Sequence, residues 1–334
     1  MPRFSIVLPA YNVAPWVREC IGSVVAAAGT IHCVEILCVD DGSADDTLKI
    51  LYHCQNEFSR LENLRICIYN QENRGVASAR NVALENATGE WLLFLDGDDL
   101  LSPTLFDQLE ECLKVNSHVE MLRFGQCDFR DEKKPWEKHR DQMICYQYIP
   151  EKECLSQAIL GPGFTSYAYR RSVVADVRFP DYVLGEDRTF LVRCLVKIVH
   201  LVDSGVIGYW ARIRSGSATR SSLTVRKVHD RIAYRAEMLS RLDKAHKYVN
   251  PKVYRILLNG LFELCSYSIM QLARESRDDL WTCWFKAIDE VENCQIKSSW
   301  RRFVWEMIHW SHSRLVAWVL CVCPYKCKLM GFHR

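Results

Sequence analysis

Trp91 to Asp99 reads WLLFLDGDD: five apolar residues in a row, then Asp96, Gly97, Asp98 and Asp99. A short run that is apolar at every position, without alternation, marks a strand covered on both faces, as in the parallel sheets of α/β domains. Three similar runs lie on the N-terminal side, at Phe4 to Leu8 (FSIVL), Val34 to Val39 (VEILCV) and Leu64 to Tyr69 (LRICIY). Between them are Pro15 to Ala28, Ala44 to Ser59 and Val76 to Asn86, all of helical length. This alternation predicts βαβ crossovers, and four strands with three crossovers make a Rossmann-like half over residues 1–100.

On the C-terminal side of the acidic run the pattern is less regular. Asp131 to Asp141 (DEKKPWEKHRD) reads as an exposed loop or hairpin. The sheet is expected to be completed within 101–220, so that 1–220 form one α/β domain with a mostly parallel sheet flanked by helices. Past Leu223 the strand signals fade, and helical segments such as Arg231 to Tyr248 and Val253 to Glu275 predict a helical C-terminal region over 221–334.

The last 35 residues hold four of the ten tryptophans (Trp300, Trp305, Trp310, Trp318), and six basic side chains there oppose a single acid, Glu306. On a helix over 300–323, Arg302, Glu306, His309 and Ser313 share a polar face, with Val304, Ile308, Leu315, Val319 and Val322 opposite. Such a helix suits either the membrane interface or packing on the protein body. Its unbroken apolar core, Leu315 to Cys323, is shorter than the roughly 20 residues of a spanning helix.

Composition narrows the function classes. A net charge of +2 argues against wholesale nucleic-acid binding, and 49% hydrophobic with 25% charged residues is ordinary globular usage. Met1-Pro2-Arg3 leads straight into the first apolar run without a signal-peptide pattern, so the expectation is a cytoplasmic protein whose sixteen cysteines stay reduced. Cys321, Cys323 and Cys327 near His309 and His312 fit no common zinc spacing.

The chemistry concentrates in the acids that follow strands. Asp40 and Asp41 end one apolar run, and Asp96, Asp98 and Asp99 end another. In open parallel sheets ligands bind beyond the carboxyl ends of strands, so both groups face one crevice. Carboxylates gathered there repel unless a cation or hydrogen-bond donors balance them, and hard oxygen ligands beside a diphosphate suit Mg²⁺ or Mn²⁺. Calcium is set aside, because Leu100-Leu101-Ser102-Pro103 supplies none of the later ligands of an EF-hand loop. Local capping is the competing account: Asp99 or Ser102 before a helix starting near Pro103, and a Ser43/Asp46 capping box with Asp45 at the helix N-terminus. Capping explains one acid of the later group, not three, and leaves Asp40 and Asp41 unexplained. A carboxylate at that edge suits the imide N–H of uracil, and Pro9-Ala10-Tyr11-Asn12 offers Tyr11 to the base.

SIVLPAYN at Ser5 to Asn12, VDDGS at Val39 to Ser43, NRGVASARN at Asn73 to Asn81 and FLDGDD at Phe94 to Asp99, in that order and spacing, resemble the family 2 glycosyltransferases of GT-A fold. The likeness is dense over the first hundred residues and looser to about residue 220. It implies an inverting enzyme that moves a sugar from a nucleotide diphosphate, usually a UDP-sugar, to a hydroxyl of a glycan or lipid-linked glycan, as in cell-surface polysaccharide synthesis. It further implies that the acids Asp96 and Asp98 hold Mn²⁺ or Mg²⁺, Asp98 as the direct ligand and Asp96 nearer the ribose or donor sugar, with Gly97 between them; that Pro9, Tyr11 and Asp40 or Asp41 border the base; and that Arg80 lies near the nucleotide, a surface or core-edge salt bridge being the other account.

Gly185-Glu186-Asp187 resembles the family's ED motif, implying Asp187 as catalytic base and Glu186 beside the donor; helix capping is the plain alternative. Tyr209 to Ser217 (YWARIRSGS) resembles the loop that closes over the diphosphate, with Arg212 and Arg214 offsetting its charge or forming an exposed basic strand edge. Trp136 and Trp210 either stack on a sugar or belong to the core. Two rivals remain. A sugar nucleotidyltransferase needs a glycine- and basic-rich loop after the first strand, and Pro9 to Asn12 is not one. A non-catalytic sugar-nucleotide-binding or scaffold subunit would not need Asp98 and Asp187 intact.

Overall fold

The four apolar runs of the first hundred residues are strands in a computed structural model that describes residues 3–130, 135–136, 147–149, 162–214 and six positions between 226 and 241. They are β1 (Phe4–Ala10), β2 (Val34–Asp40), β3 (Leu64–Asn70) and β4 (Trp91–Phe94), and every residue of β1, β2 and β4 is buried. The intervening segments are helices α1 (Val17–Ala28), α2 (Thr47–Glu57) and α3 (Val76–Asn86). Helical spacing explains how α1 seats on the sheet: Val17, Cys20, Ile21, Val24, Ala27 and Ala28 form one buried stripe.

Strands β3, β2, β1 and β4 lie side by side in that order, all parallel, with Ala10 opposite Asp40 and Asp40 opposite Asn70 at their carboxyl ends. The second half is built differently. After β5 (Leu100–Leu101), α4 (Leu105–Val115) and β6 (Met121–Phe129) come β7 (Gln147–Ile149), β8 (Tyr167–Arg170), a short helix α5 (Arg171–Val174), helix α6 (Glu186–Leu195) and the long strand β9 (Leu201–Arg212). Among the described residues the sheet has nine strands, ordered β3-β2-β1-β4-β8-β6-β9-β5, with β7 pairing off β9. Strand β8 is antiparallel to both β4 and β6, so the chain passes from a parallel half to a mixed one at β4. Strand β9 runs parallel to β6 and antiparallel to β5. Because Leu100 faces Trp210 in that last pairing, residues 209–212 border the turn that ends β4.

At the opposite, amino-terminal end of the strands, Glu35 is buried on β2 with no exposed surface. Its carboxylate accepts hydrogen bonds from Ser5 Oγ (2.6 Å), Thr88 N–H (2.6 Å), Thr88 Oγ (3.0 Å) and Gly89 N–H (3.1 Å), and pairs with Arg65. Burial pushes this carboxyl up, yet the bonds from Ser5, Thr88 and Arg65 outweigh it and hold it below the usual glutamate range. Glu35→Gln turns an amide N–H₂ towards groups that already donate, which destabilises the fold by roughly 2–4 kcal/mol. The melting midpoint is expected to fall by about 5–15 °C at neutral pH, read by calorimetry. A depressed folded-state pKa places Glu35's contribution above its unfolded value, so the gap between wild type and variant closes as pH falls through the folded one. Equal midpoints at pH 7 would refute this role.

The described residues divide into two compact units: 3–181 with 193–214, and 182–192 with the positions described between 226 and 241. Most of the Asp131 to Asp141 loop and of the helical segment expected at Arg231 to Tyr248, and all of the Val253 to Glu275 segment, the 300–323 helix and the Cys321 to Cys327 group, lie outside the described residues. Among the described residues no helix is long and apolar enough to cross a membrane.

Candidate active site

The carboxyl ends of β1 and β2 are laced together before any ligand is considered. Asp41 N–H donates to Ala10 O (2.9 Å), Asn12 N–H to Ser43 Oγ (3.0 Å) and Ala44 N–H to Asn12 Oδ1 (2.9 Å). Asn12 adopts a left-handed backbone (φ 51°), which asparagine tolerates, and the lacing leaves Tyr11 nearly half exposed at the rim. The capping box expected between Ser43 and Asp46 does not form. Ser43 Oγ is taken by Asn12, Asp46 makes no capping bond, and Asp45 Oδ1 accepts the Thr47 N–H instead (3.0 Å).

Asp40 and Asp41 are both buried, but they are not equivalent. Asp41 accepts from Gln71 Nε2 (2.6 Å), Arg74 N–H (2.8 Å) and Gly75 N–H (2.9 Å), so both its oxygens staple the loop entering α3. Gly42 (φ +72°) is required here, since a Cβ on it would lie 2.8 Å from Asn73 N. Asp40 Oδ2 accepts the Ser43 N–H (3.2 Å), whereas Asp40 Oδ1 is buried and has no hydrogen-bond partner. A buried carboxylate oxygen left unpaired is costly, and a donor N–H from a ligand would relieve it.

At the end of β4, Asp96 Oδ1 pairs with Arg80 Nη2 (2.9 Å), and the Asp96 N–H donates to the Tyr209 hydroxyl (3.3 Å). Arg80 is buried, its guanidinium centre 4.6 Å from the Phe164 ring centre and 5.3 Å from that of Phe179. Gly97 permits close approach, as a Cβ there would meet Val13 Cγ2 at 3.0 Å and the Pro9 carbonyl at 3.3 Å. The acidic turn therefore packs directly on the end of β1. Asp98 pairs with Arg214, whose guanidinium lies 4.8 Å from the Trp16 ring centre. Arg212 donates from Nε to the Asp98 carbonyl (2.8 Å) and from Nη2 to Glu19 (2.6 Å).

Asp99 does not cap the following helix, and neither does the Ser102 side chain. Asp99 accepts from the Tyr209 hydroxyl (2.5 Å) and the Arg212 N–H (2.7 Å), and α4 starts behind Thr104 without a side-chain cap. Burial with Asp96 and Asp98 alongside pushes Asp99 up to about 8; burial and Asp96 also raise Asp98, Arg214 offsetting part of the effect.

The arrangement suits a hard divalent cation. Asp98 is largely buried, its carboxylate is destabilised as a bare anion, and in this structure a guanidinium serves as its counter-ion. Among the described residues no three His, Cys, Asp or Glu side chains form a ligand set. Mg²⁺ and Mn²⁺ commonly take one or two carboxylates, with phosphates and water completing the shell, and Asp98 with Asp96 would be those carboxylates here.

Glu186 and Asp187 belong to the second unit, in the first turn of α6. Gly185 (φ +92°) precedes them, and a Cβ there would collide with Tyr234 at 2.1 Å, so only glycine fits. Gly185 O accepts the Thr189 N–H (3.0 Å), Asp187 Oδ1 accepts the Arg188 N–H (2.7 Å), and the Val183 N–H is held by Asp230 Oδ2 (2.7 Å).

Pro9, Tyr11, Asp40, Asp41, Asp96, Gly97, Asp98 and Arg212 lie at or next to strand ends of the first unit, and Arg80, within α3, reaches that edge through its pair with Asp96. Trp210 is core rather than a sugar platform, clustered with Leu100 and Phe129, and Trp136 packs on that cluster. Gln71, Trp16, Glu19, Tyr209, Phe164 and Phe179 were not singled out by sequence reasoning. Each meets the site through a contact across at least 30 positions, which no local window displays.

A parallel αβ half that ends in an acidic turn, continued by a mixed sheet, is the GT-A architecture. The crystal structure of Staphylococcus aureus TarS residues 1–349 in complex with UDP-GlcNAc superposes with TM-score 0.73 at 18% identity, covering 97% of this chain and 92% of that one. A mannosyltransferase from Pyrobaculum calidifontis, solved with GDP-Man and Mn²⁺, gives TM-score 0.53 at 16% identity, covering 99% and 88%. These likenesses establish the fold. In sequence, EpsJ of Bacillus subtilis, an uncharacterized glycosyltransferase, is 36% identical over 116 residues, 35% of this chain and 32% of EpsJ. TarS, named as a poly(ribitol-phosphate) beta-N-acetylglucosaminyltransferase, is 26% identical over 227 residues, 66% of this chain and 38% of TarS. The chain spans about a third to a half of the length of curated relatives such as EpsJ and EpsH. The profile of glycosyl transferase family 2 matches residues 5–178, just over half of the 334. This chain belongs to glycosyl transferase family 2.

Proposed function

We propose that the chain is a metal-dependent inverting glycosyltransferase that takes a sugar from a nucleotide diphosphate, best matched by a UDP-sugar, and places it on a hydroxyl of a glycan or lipid-linked glycan. The observation that carries the reading is the packing of the Asp96-Gly97-Asp98 turn against the end of β1, together with a buried Asp40 oxygen, on the strand flanking β1, that lacks a partner. A nucleoside diphosphate needs both features: an N–H acceptor for the base and an acidic turn that bears a cation. UDP-GlcNAc in the TarS structure and GDP-Man with Mn²⁺ in the mannosyltransferase support the donor class and the metal.

On this reading Asp40 Oδ1 accepts the imide N–H of uracil, while Asp41 keeps the surrounding loop in place. Asp98 is the direct metal ligand and Asp96, held by Arg80, turns its free side towards the ribose or sugar. A bound Mn²⁺ or Mg²⁺ would supply Lewis-acid stabilisation of the leaving nucleoside diphosphate. Arg212 and Arg214 add positive charge at the same edge. Asp187 removes the proton from the attacking acceptor hydroxyl, the one base that a single inverting displacement needs. A peripheral membrane contact through 300–323 would suit a lipid-linked acceptor; those residues lie outside the described ones.

Calorimetry with UDP and Mn²⁺ tests the donor half directly. Wild-type protein is expected to bind, and Asp40→Asn, which turns an amide into either the base or Ser43 N–H, to bind roughly 10–100-fold more weakly, the cost of an unmade buried hydrogen bond to a charged group. Equal affinity of the two proteins would remove Asp40 from base recognition, and no binding of UDP by the wild type would overturn the uridine assignment.

A further inference from the structure

Arg80 is not an ordinary core residue. A guanidinium with 4% of its residue surface exposed, packed against two phenylalanine rings that also touch each other, is a poor stabiliser compared with an apolar side chain of the same volume. Its cationic face is compensated by Asp96, whose side chain remains 37% exposed beyond the ion pair. The arrangement therefore fixes one oxygen of Asp96 and leaves the other side accessible.

One of those rings, Phe179, has its backbone held by a side-chain amide. Asn81 Nδ2 donates to Phe179 O (2.9 Å) and Asn81 Oδ1 accepts the Phe179 N–H (2.9 Å), the pair of bonds that one residue of an antiparallel strand gives another. Phe179 is buried, its ring 5.5 Å from that of Phe164 and 5.4 Å from that of Phe94, both in edge-to-face contact. Phe94 closes β4 two residues before Asp96. Backbone clamp, aromatic wall, guanidinium and carboxylate thus form one connected series, and Arg80 and Asn81 stand next to each other in it.

We infer that Asn81 and Phe179 are positioning residues for the donor: Asn81 holds Phe179, the Phe179 ring holds Arg80, and Arg80 aims Asp96 at the nucleotide sugar. This rests on the nucleotide-sugar reading above. The clamp explains why the helix after Gly75 carries Arg and Asn side by side: one grips the acidic turn, the other the chain that walls it.

A double-mutant cycle with UDP and Mn²⁺ in the calorimeter tests it on the full chain. Asn81→Ala and Phe179→Leu are each expected to weaken binding about tenfold in the wild-type background, and less than about twofold when Asp96 is already Asn, as coupled residues do. Asn81→Asp, which keeps the acceptor for the Phe179 N–H but loses the donor, is expected to fall between wild type and Asn81→Ala. Hydrogen exchange of the Leu95 to Asp98 amides without nucleotide is expected to quicken in Asn81→Ala. Independent losses in the two backgrounds, or unchanged exchange in that turn, would overturn the inference and leave Asn81 a general stabiliser. A wild type that binds neither UDP nor GDP would instead defeat the donor reading; the exchange arm would then decide whether Asn81 holds the turn.

Discussion

Asp98→Asn is expected to abolish the Mn²⁺ dependence of UDP binding and with it nearly all sugar transfer. The substitution keeps the shape of the side chain and removes its charge, so a hard cation loses the carboxylate it would hold most closely. The nearest carboxylates already have partners of their own. Asp96 is engaged by Arg80 at 2.9 Å, and Asp99 is occupied by the Tyr209 hydroxyl and the Arg212 N–H. Metal affinity is expected to fall about 100-fold or more, beyond the 10–100-fold range seen when only a supporting partner of a ligand is lost. Folding should survive, because Arg214, the partner left behind, is about one-third exposed and still lies over Trp16. Titration of UDP with and without Mn²⁺ decides the matter: a variant whose affinity still rises on adding Mn²⁺ would show that the cation is held elsewhere.

The second large effect is expected at Asp187. Asp187→Asn leaves an isosteric side chain that still accepts the Arg188 N–H, as Asp187 Oδ1 does at 2.7 Å, so the first turn of α6 should keep its form. What it loses is the capacity to take a proton. Turnover is expected to fall by about 10²–10⁴, the share ordinarily contributed by a general base, while the dissociation constant for UDP with Mn²⁺ stays within about threefold of wild type. Nucleotide release from a UDP-sugar, followed with and without acceptor, gives the rate. Wild-type turnover in Asp187→Asn would strip the residue of the catalytic role and return it to helix capping.

The first half of the fold was legible because its signals are local. Each of the four strands is a nearly continuous apolar run, each intervening segment is of helical length, and the acids follow at strand ends where α/β sheets bind ligands. The second half was not. YAYR at Tyr167–Arg170 is too short and too mixed to announce a strand, yet it joins β4 to β6 and turns the sheet antiparallel. Within the site, local chemistry misled in two places. The Ser43-to-Asp46 spacing matches a capping box, but Asn12, 31 residues away, claims Ser43. Asp99 before a helix matches a cap, but Tyr209 claims it from β9. Asp40 and Asp41 look alike in sequence and diverge only because the loop before α3 brings its N–H groups to one of them.

The ion pair between Arg214 and Asp98 has an electrical consequence for the protein at rest. With Arg80 on Asp96 and Arg212 reaching Glu19, three acids around the acidic turn each face a guanidinium. Charge at this edge is thereby settled inside one folded unit: each carboxylate has its opposite on a neighbouring element, and the electrostatic cost of crowding acids at a strand end is met by the chain itself.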